Sequence, residues 1–350
     1  MADLTKNQFL LESPLRKLKS QYLRGRGKMA SYIWNRVQWN WYYKYNIVPR
    51  FPLNIDIEAS SKCNLVCEHC FRQYMDMKED VHMDFDLYTK IIDECAEQKL
   101  FTLKFSMRAE PTMNPRIVDM IAYAKEKKIK EVWLNTHGGH LTESKAEALL
   151  KTGVDHITVS FDGLGDVYES IRMPLKYDDQ IMKLKRLVEL RDKLKAKTRI
   201  KVQSLWSAIQ HNPHAYINLM SKIVDEVAYN VDFNYKEITL VSDPTFVCYR
   251  LWHRLAITSN GDVLKCPSDF EKDEVLANVR NKSLKEIWDQ EQQRNRENHL
   301  NHKKDESIPC KKCHHGAIEV PREIEFEGKT LAARDVAYQK EFAGHGLLNQ

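Results

Sequence analysis

No run of about 18 consecutive apolar residues occurs in the 350-residue chain, and mean hydropathy is −0.56, so the sequence offers no transmembrane helix. Glycine is scarce, with 12 residues, and the composition excludes collagen-like, low-complexity and wholly disordered classes. The opening residues Met1-Ala2-Asp3-Leu4-Thr5-Lys6 lack the basic-then-apolar layout of a secretory signal. A dominant charge is missing too. The 54 Lys and Arg face 49 Asp and Glu, a net +5, well short of the basic stripe that nucleic-acid binding needs. An anionic small substrate is compatible with that balance but not required by it. The expectation is a soluble, cytoplasmic protein with no nucleic-acid partner. With 43% hydrophobic residues it can bury a sizeable core, as two domains or one large α/β barrel.

Cysteine is present in a telling pattern. Nothing points to an oxidising compartment, and seven of the eight cysteines fall into an early and a late group, as metal sites do. The early group is Cys63-Asn64-Leu65-Val66-Cys67-Glu68-His69-Cys70, a CxxxCxxC run. Three thiolates this close can wrap one face of a cuboidal cluster. Because an iron–sulfur cluster normally takes four cysteines, three leave one iron open. Zinc in a structural role prefers a closed set of four. The run follows Leu53, Ile55 and Ile57, which alternate with Asn54, Asp56 and Glu58 as in a strand, and a Ser60-Ser61 loop.

These residues resemble the radical S-adenosylmethionine (SAM) superfamily, whose hallmark is CxxxCxxC after the first strand of a partial (β/α)6 barrel. His69 stands where that motif has an aromatic residue. The resemblance implies an α/β fold with a TIM-like partial barrel and a 4Fe–4S cluster on Cys63, Cys67 and Cys70. Its open iron chelates SAM, and one electron cleaves SAM to methionine and a 5′-deoxyadenosyl radical that takes a substrate hydrogen. Further segments fit the same pattern. Ser106-Met107-Arg108-Ala109-Glu110-Pro111 follows a second strand at 101–105, with Arg108 and Ala109 where the family's Gly-Gly-Glu-Pro motif has glycines. Ser160-Phe161-Asp162-Gly163 ends the strand beginning at Ile157, and Tyr168-Glu169-Ser170-Ile171-Arg172 follows. The resemblance implies that Glu110 meets the SAM amino group and that Ser160 and Arg172 hold its carboxylate, the last through a guanidinium fork. Asn135, in the strand 132–136, and Gln203, in the strand 201–204, complete the expected cofactor contacts. All lie at strand ends, where (β/α) barrels do their chemistry. Sequence patterning also predicts helices at 84–99 and at 143–151, the latter capped by Thr142.

The late group is Cys248, Cys266, Cys310 and Cys313. Asn260-Gly261-Asp262 between Leu255-Ala256-Ile257 and Val263-Leu264 signals a hairpin that brings Cys248 and Cys266 together. With Cys310 and Cys313 they form a complete set of four. The spacing resembles the SPASM/Twitch extension of radical SAM enzymes, which implies one auxiliary 4Fe–4S cluster; structural zinc is the alternative. Cys95, on a helix at apolar spacing, reads as a core residue, with hydrogen-atom donor as the functional alternative. His314 and His315 read as hydrogen-bonded surface residues, and the polar stretch 294–304 as a solvated linker.

The expected domains are a basic and aromatic helical extension at 1–50, the barrel at 51–240, the cluster domain at 241–320 and a tail at 321–350. Residues 34–45, rich in Trp and Tyr, suit a helix packed across the barrel; an interfacial membrane helix or a peptide or lipid-linked substrate site looks similar in sequence. The resemblance implies an external electron donor of flavodoxin or ferredoxin type. It also points to a carbohydrate-like small-molecule substrate, a sugar or aminocyclitol, oxidised or epimerised at a carbinol carbon. Peptide modification of the maturase type and a non-catalytic zinc scaffold are the alternatives.

Overall fold

The computed structural model describes residues 9–10, 21–76, 79–230, 240–326 and 329–336. Its centre is a run of parallel strands. β1 (Phe9–Leu10) edges the sheet, and the barrel strands are β2 (Asn54–Ile57), β3 (Thr102–Phe105), β4 (Glu131–Thr136), β5 (His156–Ser160), β6 (Arg199–Leu205) and β7 (Glu226–Asn230). Each of β2 to β7 pairs in parallel with the next, and β1 closes the β7 edge antiparallel. This is the expected partial (β/α)6 architecture. Between the strands run α2 (Phe85–Glu97), α3 (Ile117–Glu126), α4 (Glu143–Lys151), α5 (Asp166–Ile171), α6 (Tyr177–Lys193) and α7 (Pro213–Met220), with α1 (Met29–Trp41) preceding β2.

Local chemistry explains the element limits. Asp84 caps α2 by accepting from the Asp86 and Leu87 amides, and Thr142 caps α4 through the Lys145 amide, as the sequence predicts. Leu87, Tyr88, Ile91, Ile92 and Cys95 recur at helical spacing, and all are buried against the sheet. Opposite them, Ile55, Ile57, Leu103, Phe105, Val132 and Leu134 form the outward face of the strands. Each such side chain, fully buried, contributes about 1.5–3 kcal/mol. Cys95 is wholly inside this core, as a structural residue should be.

The polar residues that alternate in β2 are buried as well, because they face the barrel interior rather than water. Asn54 donates to Asp56, and Arg254 pairs with Asp56 at 3.0 Å. The N-terminal segment stoppers this interior at the strands' N-terminal ends. Arg24 makes a two-pronged bond to Glu131 at the start of β4 (2.8 and 2.6 Å), and Trp39 stacks on His253 at 4.2 Å. Helix α1 therefore packs across the barrel floor. Residues 11–20 of the basic stretch lie outside the described residues.

The second half does not stand apart. β8 (Arg254–Ile257) pairs in parallel with β2, and β9 (Asp262–Leu264) and β10 (Val275–Asn278) continue antiparallel, giving one ten-stranded sheet. The Asn260-Gly261 turn between β8 and β9 forms as predicted, with Gly261 at φ +92°. Val279, Leu284, Ile287 and Trp288 join the barrel's own core. A Ser283/Glu286 capping box starts α8 (Leu284–Glu286), which runs through a wide turn at Ile287–Glu291 into α9 (Gln292–Leu300). α10 (Ile308–Lys311) carries Cys310.

Two expectations need correction. The stretch 294–304, read as a solvated linker, is mostly helix, and Arg296, His299 and Lys304 are buried. Its polar groups turn inward because the surface they meet is polar. Beyond 320, where a tail was expected, β11 (Glu319–Phe326) and β12 (Lys329–Val336) form an antiparallel hairpin. Residues 337–350 lie outside the described residues.

Candidate active site

At the C-terminal ends of β2 to β7 opens a cavity of about 270 Å³. Cys63, Cys67 and Cys70 line it together with Glu110, Asn135, Ser160, Arg172 and Gln203, so the structure brings all of these sequence-predicted residues to one place. Cys95 is not among its lining residues.

The cysteine loop is held by its backbone. Arg72 donates to the Ser61 carbonyl (3.0 Å) and the Arg108 carbonyl (3.2 Å), and Asn114 donates to the Ala59 carbonyl (2.7 Å). Inside the loop, Asn64 Oδ1 meets Nε2 of His137 at 3.0 Å and Nε2 of His140 at 3.1 Å. The Gly139 amide donates to His137 Nδ1 at 2.9 Å, so Nε2 carries the ring proton and points it at Asn64. Burial holds the His137 pKa below its ordinary value, which keeps the ring neutral and makes it a fixed donor.

Glu110 receives four hydrogen bonds: the Thr112 amide (3.0 Å), Thr112 Oγ1 (2.5 Å), Thr136 Oγ1 (2.7 Å) and the His137 amide (2.8 Å). A carboxylate has about four lone-pair directions. Three of these bonds fall on Oε1 and one on Oε2, so the side chain ties the end of β3 to the end of β4 while Oε2 keeps an acceptor direction that a SAM ammonium could use. Arg172 donates through Nε to Asp162 (2.5 Å) and through Nη1 towards Cys67 Sγ at 3.9 Å. It faces the thiol cluster and the cavity at once, with part of its fork already committed to Asp162.

Arg108 is the residue whose importance the sequence hid. It stands where a glycine was expected, yet it is almost wholly buried, pairing with Glu58 (2.7 and 2.9 Å) and Glu79 (2.8 Å). Glu58 also accepts from Ser259 of the β8–β9 turn (2.9 Å), and Glu79 pairs with Lys272. The positive φ that glycine would relieve falls one residue earlier, on Met107 at +110°. The network fastens the cluster domain to the barrel beside the cysteine loop, where Phe71 also stacks on Phe270 at 4.0 Å.

The second cysteine set surrounds a smaller cavity lined by Cys248, Cys266, Cys310 and Cys313. All eight cysteines are unpaired thiols. Within each set the thiols lie close enough to oppose one another's ionisation. Among the described residues no three His, Cys, Asp or Glu side chains close around a single-ion position. Iron–sulfur clusters are held by cysteine thiolates, and the two cavities present three and four of these. His315, expected on the surface, is buried and lines this cavity. His299, also missed from sequence, places Nε2 3.4 Å from Cys310 Sγ. The only sequence signal was its place eleven residues before Cys310.

Removal of water pushes Cys67 up to about 11 and Cys248 and Cys266 up to about 12. A raised thiol pKa in the fold stabilises it fully below the ordinary value near 9, and that contribution disappears as pH climbs towards 12. Cluster-free protein should therefore lose melting temperature from pH 9 upwards. Thermal scans at stepped pH should show a shallower decline for a Cys248→Ser/Cys266→Ser variant. Equal slopes would contradict the assignment.

The comparisons with known proteins agree with this geometry. The radical SAM superfamily profile matches residues 57–200, and that of an iron–sulfur cluster-binding domain, SPASM, matches 248–314. The tungsten-containing aldehyde ferredoxin oxidoreductase cofactor-modifying protein of Pyrococcus furiosus is 31% identical over 36% of the chain and 39% of its own length. The matched stretch thus spans about two fifths of that curated relative. Among solved structures, BtrN in complex with AdoMet and 2-DOIA has a TM-score of 0.53 at 18% identity, covering 80% of this chain and 98% of that one. Streptococcus suis SuiB bound to precursor peptide SuiA also has a TM-score of 0.53, at 16% identity over 82% and 72%. At these identities the structural likeness shows the fold alone.

Proposed function

The chain belongs to the radical SAM superfamily and carries a SPASM-type iron–sulfur domain, and from that premise we propose that it oxidises a carbohydrate-like small molecule at a carbinol carbon. SAM and 4Fe–4S clusters are its cofactors. With these bound, the site supplies a 5′-deoxyadenosyl radical for hydrogen abstraction and an acceptor for the electron that an oxidised substrate must lose. The protein supplies orientation, shielding and hydrogen bonds. Cys63, Cys67 and Cys70 are the proposed ligands of the SAM-binding cluster, and Cys248, Cys266, Cys310 and Cys313 those of the auxiliary one. Glu110, Asn135, Ser160, Arg172 and Gln203 are the proposed cofactor contacts, and Glu110 also holds the ends of β3 and β4 together. A small external electron carrier of flavodoxin or ferredoxin type would reduce the first cluster.

The observation that carries the substrate reading is the cavity's lining. Beyond the proposed cofactor contacts, Ser106, Ser204 and Asn230 are neutral side chains that both donate and accept, as a substrate rich in hydroxyls requires. Asn135 Oδ1 is buried without a hydrogen-bond partner among the described residues, an acceptor open to a hydroxyl of the cofactor or of the substrate. BtrN, which is matched over 98% of its own length, was crystallised with AdoMet and 2-DOIA, and SuiB with a precursor peptide. The fold therefore does not separate the two classes, and it is the neutral polar part of the lining that supports the first reading. The aromatic segment on which a peptide reading rested packs at the opposite end of the barrel from Cys63, Cys67 and Cys70, and its Tyr43 meets Tyr249 beside Cys248.

The test uses sugars and cyclitols deuterated at single carbinol carbons, with reconstituted protein and reductant. The expected result is deuterium in 5′-deoxyadenosine and a product lighter by two hydrogens that reacts with hydrazine reagents. Solvent deuterium appearing at the substrate carbon would indicate epimerisation instead. Turnover of a peptide but of no cyclitol or sugar would overturn the reading.

A further inference from the structure

The auxiliary cysteine cavity is lined by the cationic side chains Arg250, Lys265 and Lys304, while the Glu274 carboxylate acts on Cys310 in the opposite sense. The Arg250 guanidinium lines the same cavity as all four cysteines, and its charge acts on Cys248, Cys266 and Cys313. Its Nη1 donates to Ser268 Oγ at 2.8 Å, which fixes the group in place. The Ser268 amide in turn donates to Cys266 Sγ at 3.4 Å. On the other side His299 bridges two cysteines. The Cys248 amide donates to its Nδ1 at 3.3 Å, which leaves Nε2 to carry the proton and present it to Cys310 Sγ at 3.4 Å. The ring also hydrogen-bonds the Phe246 carbonyl, which shares that one N–H with Cys310, and it is nearly devoid of solvent contact. Lys265 and Lys304 line the same cavity, paired with Glu274 and Asp305, and Lys265 acts chiefly on Cys310.

Taking up one electron adds one negative charge to a centre already bearing four thiolates. A positive charge beside the thiolates and N–H donors on their sulfurs stabilise the reduced form more than the oxidised one. We propose that Arg250 and His299 raise the reduction potential of the auxiliary centre and so make it an electron acceptor. The electron comes from the oxidised substrate in turnover, or from a low-potential chemical reductant in a titration. No proton need move, because His299 acts as a neutral donor.

This inference rests on the reading that Cys248, Cys266, Cys310 and Cys313 hold a four-iron cluster. The experiment therefore starts from a Cys63/Cys67/Cys70→Ala background, in which the auxiliary centre is the only cluster. Iron analysis of each sample, at about four per chain, tests that reading by itself. Potentiometric titration followed by electron paramagnetic resonance then compares Arg250→Gln with Arg250→Lys, and His299→Leu with His299→Gln. Arg250→Gln and His299→Leu should each lower the equilibrium constant for reduction by about tenfold, a fall of about 59 mV for one electron. Arg250→Lys keeps the charge and His299→Gln keeps an N–H, so both should stay close to the parent. If His299→Leu fails to hold iron, the two Arg250 variants decide the matter. Four unchanged potentials, or an equal fall in the conservative and disruptive variants, would overturn the proposal while leaving the cluster assignment intact.

Discussion

Replacing Cys63, Cys67 and Cys70 together with alanine should lower the iron of anaerobically reconstituted protein from about eight to about four per chain. It should also abolish SAM cleavage. The expectation follows from the separation of the two sets: three thiols line the large cavity at the strand ends, and four line the smaller one beside α9 and α10. Losing the first set leaves the second whole, because Cys248, Cys266, Cys310 and Cys313 hang on β8, β9 and α10 rather than on the cysteine loop. Iron and sulfide analysis of wild type and variant decides it. A wild type with only about four irons, all lost in the variant, would mean that the late cysteines hold no cluster. The proposed oxidation would then lack its electron acceptor.

Arg108→Met should destabilise the protein by about 3–5 kcal/mol, the usual cost of leaving a buried charge without its partner. Glu58 is 1% exposed, and Arg108 satisfies it with two hydrogen bonds. Ser259 would remain as its only other side-chain partner, and Glu79 would keep Lys272 but lose the link to the barrel. Denaturant titration gives the loss. The double variant Glu58→Gln/Arg108→Met should recover a large part of it, since the stranded charge is gone. Arg108→Gly, which restores the family residue, should be as damaging as Met, because the backbone here places its positive φ on Met107 instead. A loss below about 1 kcal/mol for Arg108→Met would show that water reaches Glu58 and that the network does not fasten the domains.

Much of this site was legible in the sequence because its chemistry is local. CxxxCxxC, the Asn260-Gly261 turn and the Thr142 cap each depend on a few neighbouring residues, and each appears where its spacing predicts. The strands read from the sequence, β2 to β6, β8 and β9, match to within about three residues at each end, whereas β7 and β10 were not read. What the sequence hid depends on partners far along the chain. Nothing at Arg108 announces Glu58 or the Phe270 carbonyl, fifty and more residues away. The pairing of β8 with β2 joins Asn54 to Arg254, so the cluster domain's merger with the barrel sheet could not be read from either strand alone. Helix α9 misled for another reason. Its sequence is polar nearly all round, and such a pattern normally means solvent. Here Gln292, Arg296 and His299 are buried against carbonyls and thiols, where polar side chains belong: Gln292 donates to the Lys265 carbonyl and Arg296 to the Leu251 carbonyl.

Membership of the radical SAM superfamily makes the most direct demand on the site itself. Cluster-loaded protein, mixed anaerobically with SAM and a strong reductant, should form 5′-deoxyadenosine and methionine in equal amounts, and Arg172→Met should slow this by weakening the hold on SAM. The same protein carrying its full iron yet leaving SAM intact would contradict the assignment of the cavity at the strand ends as the place where SAM is bound and cleaved.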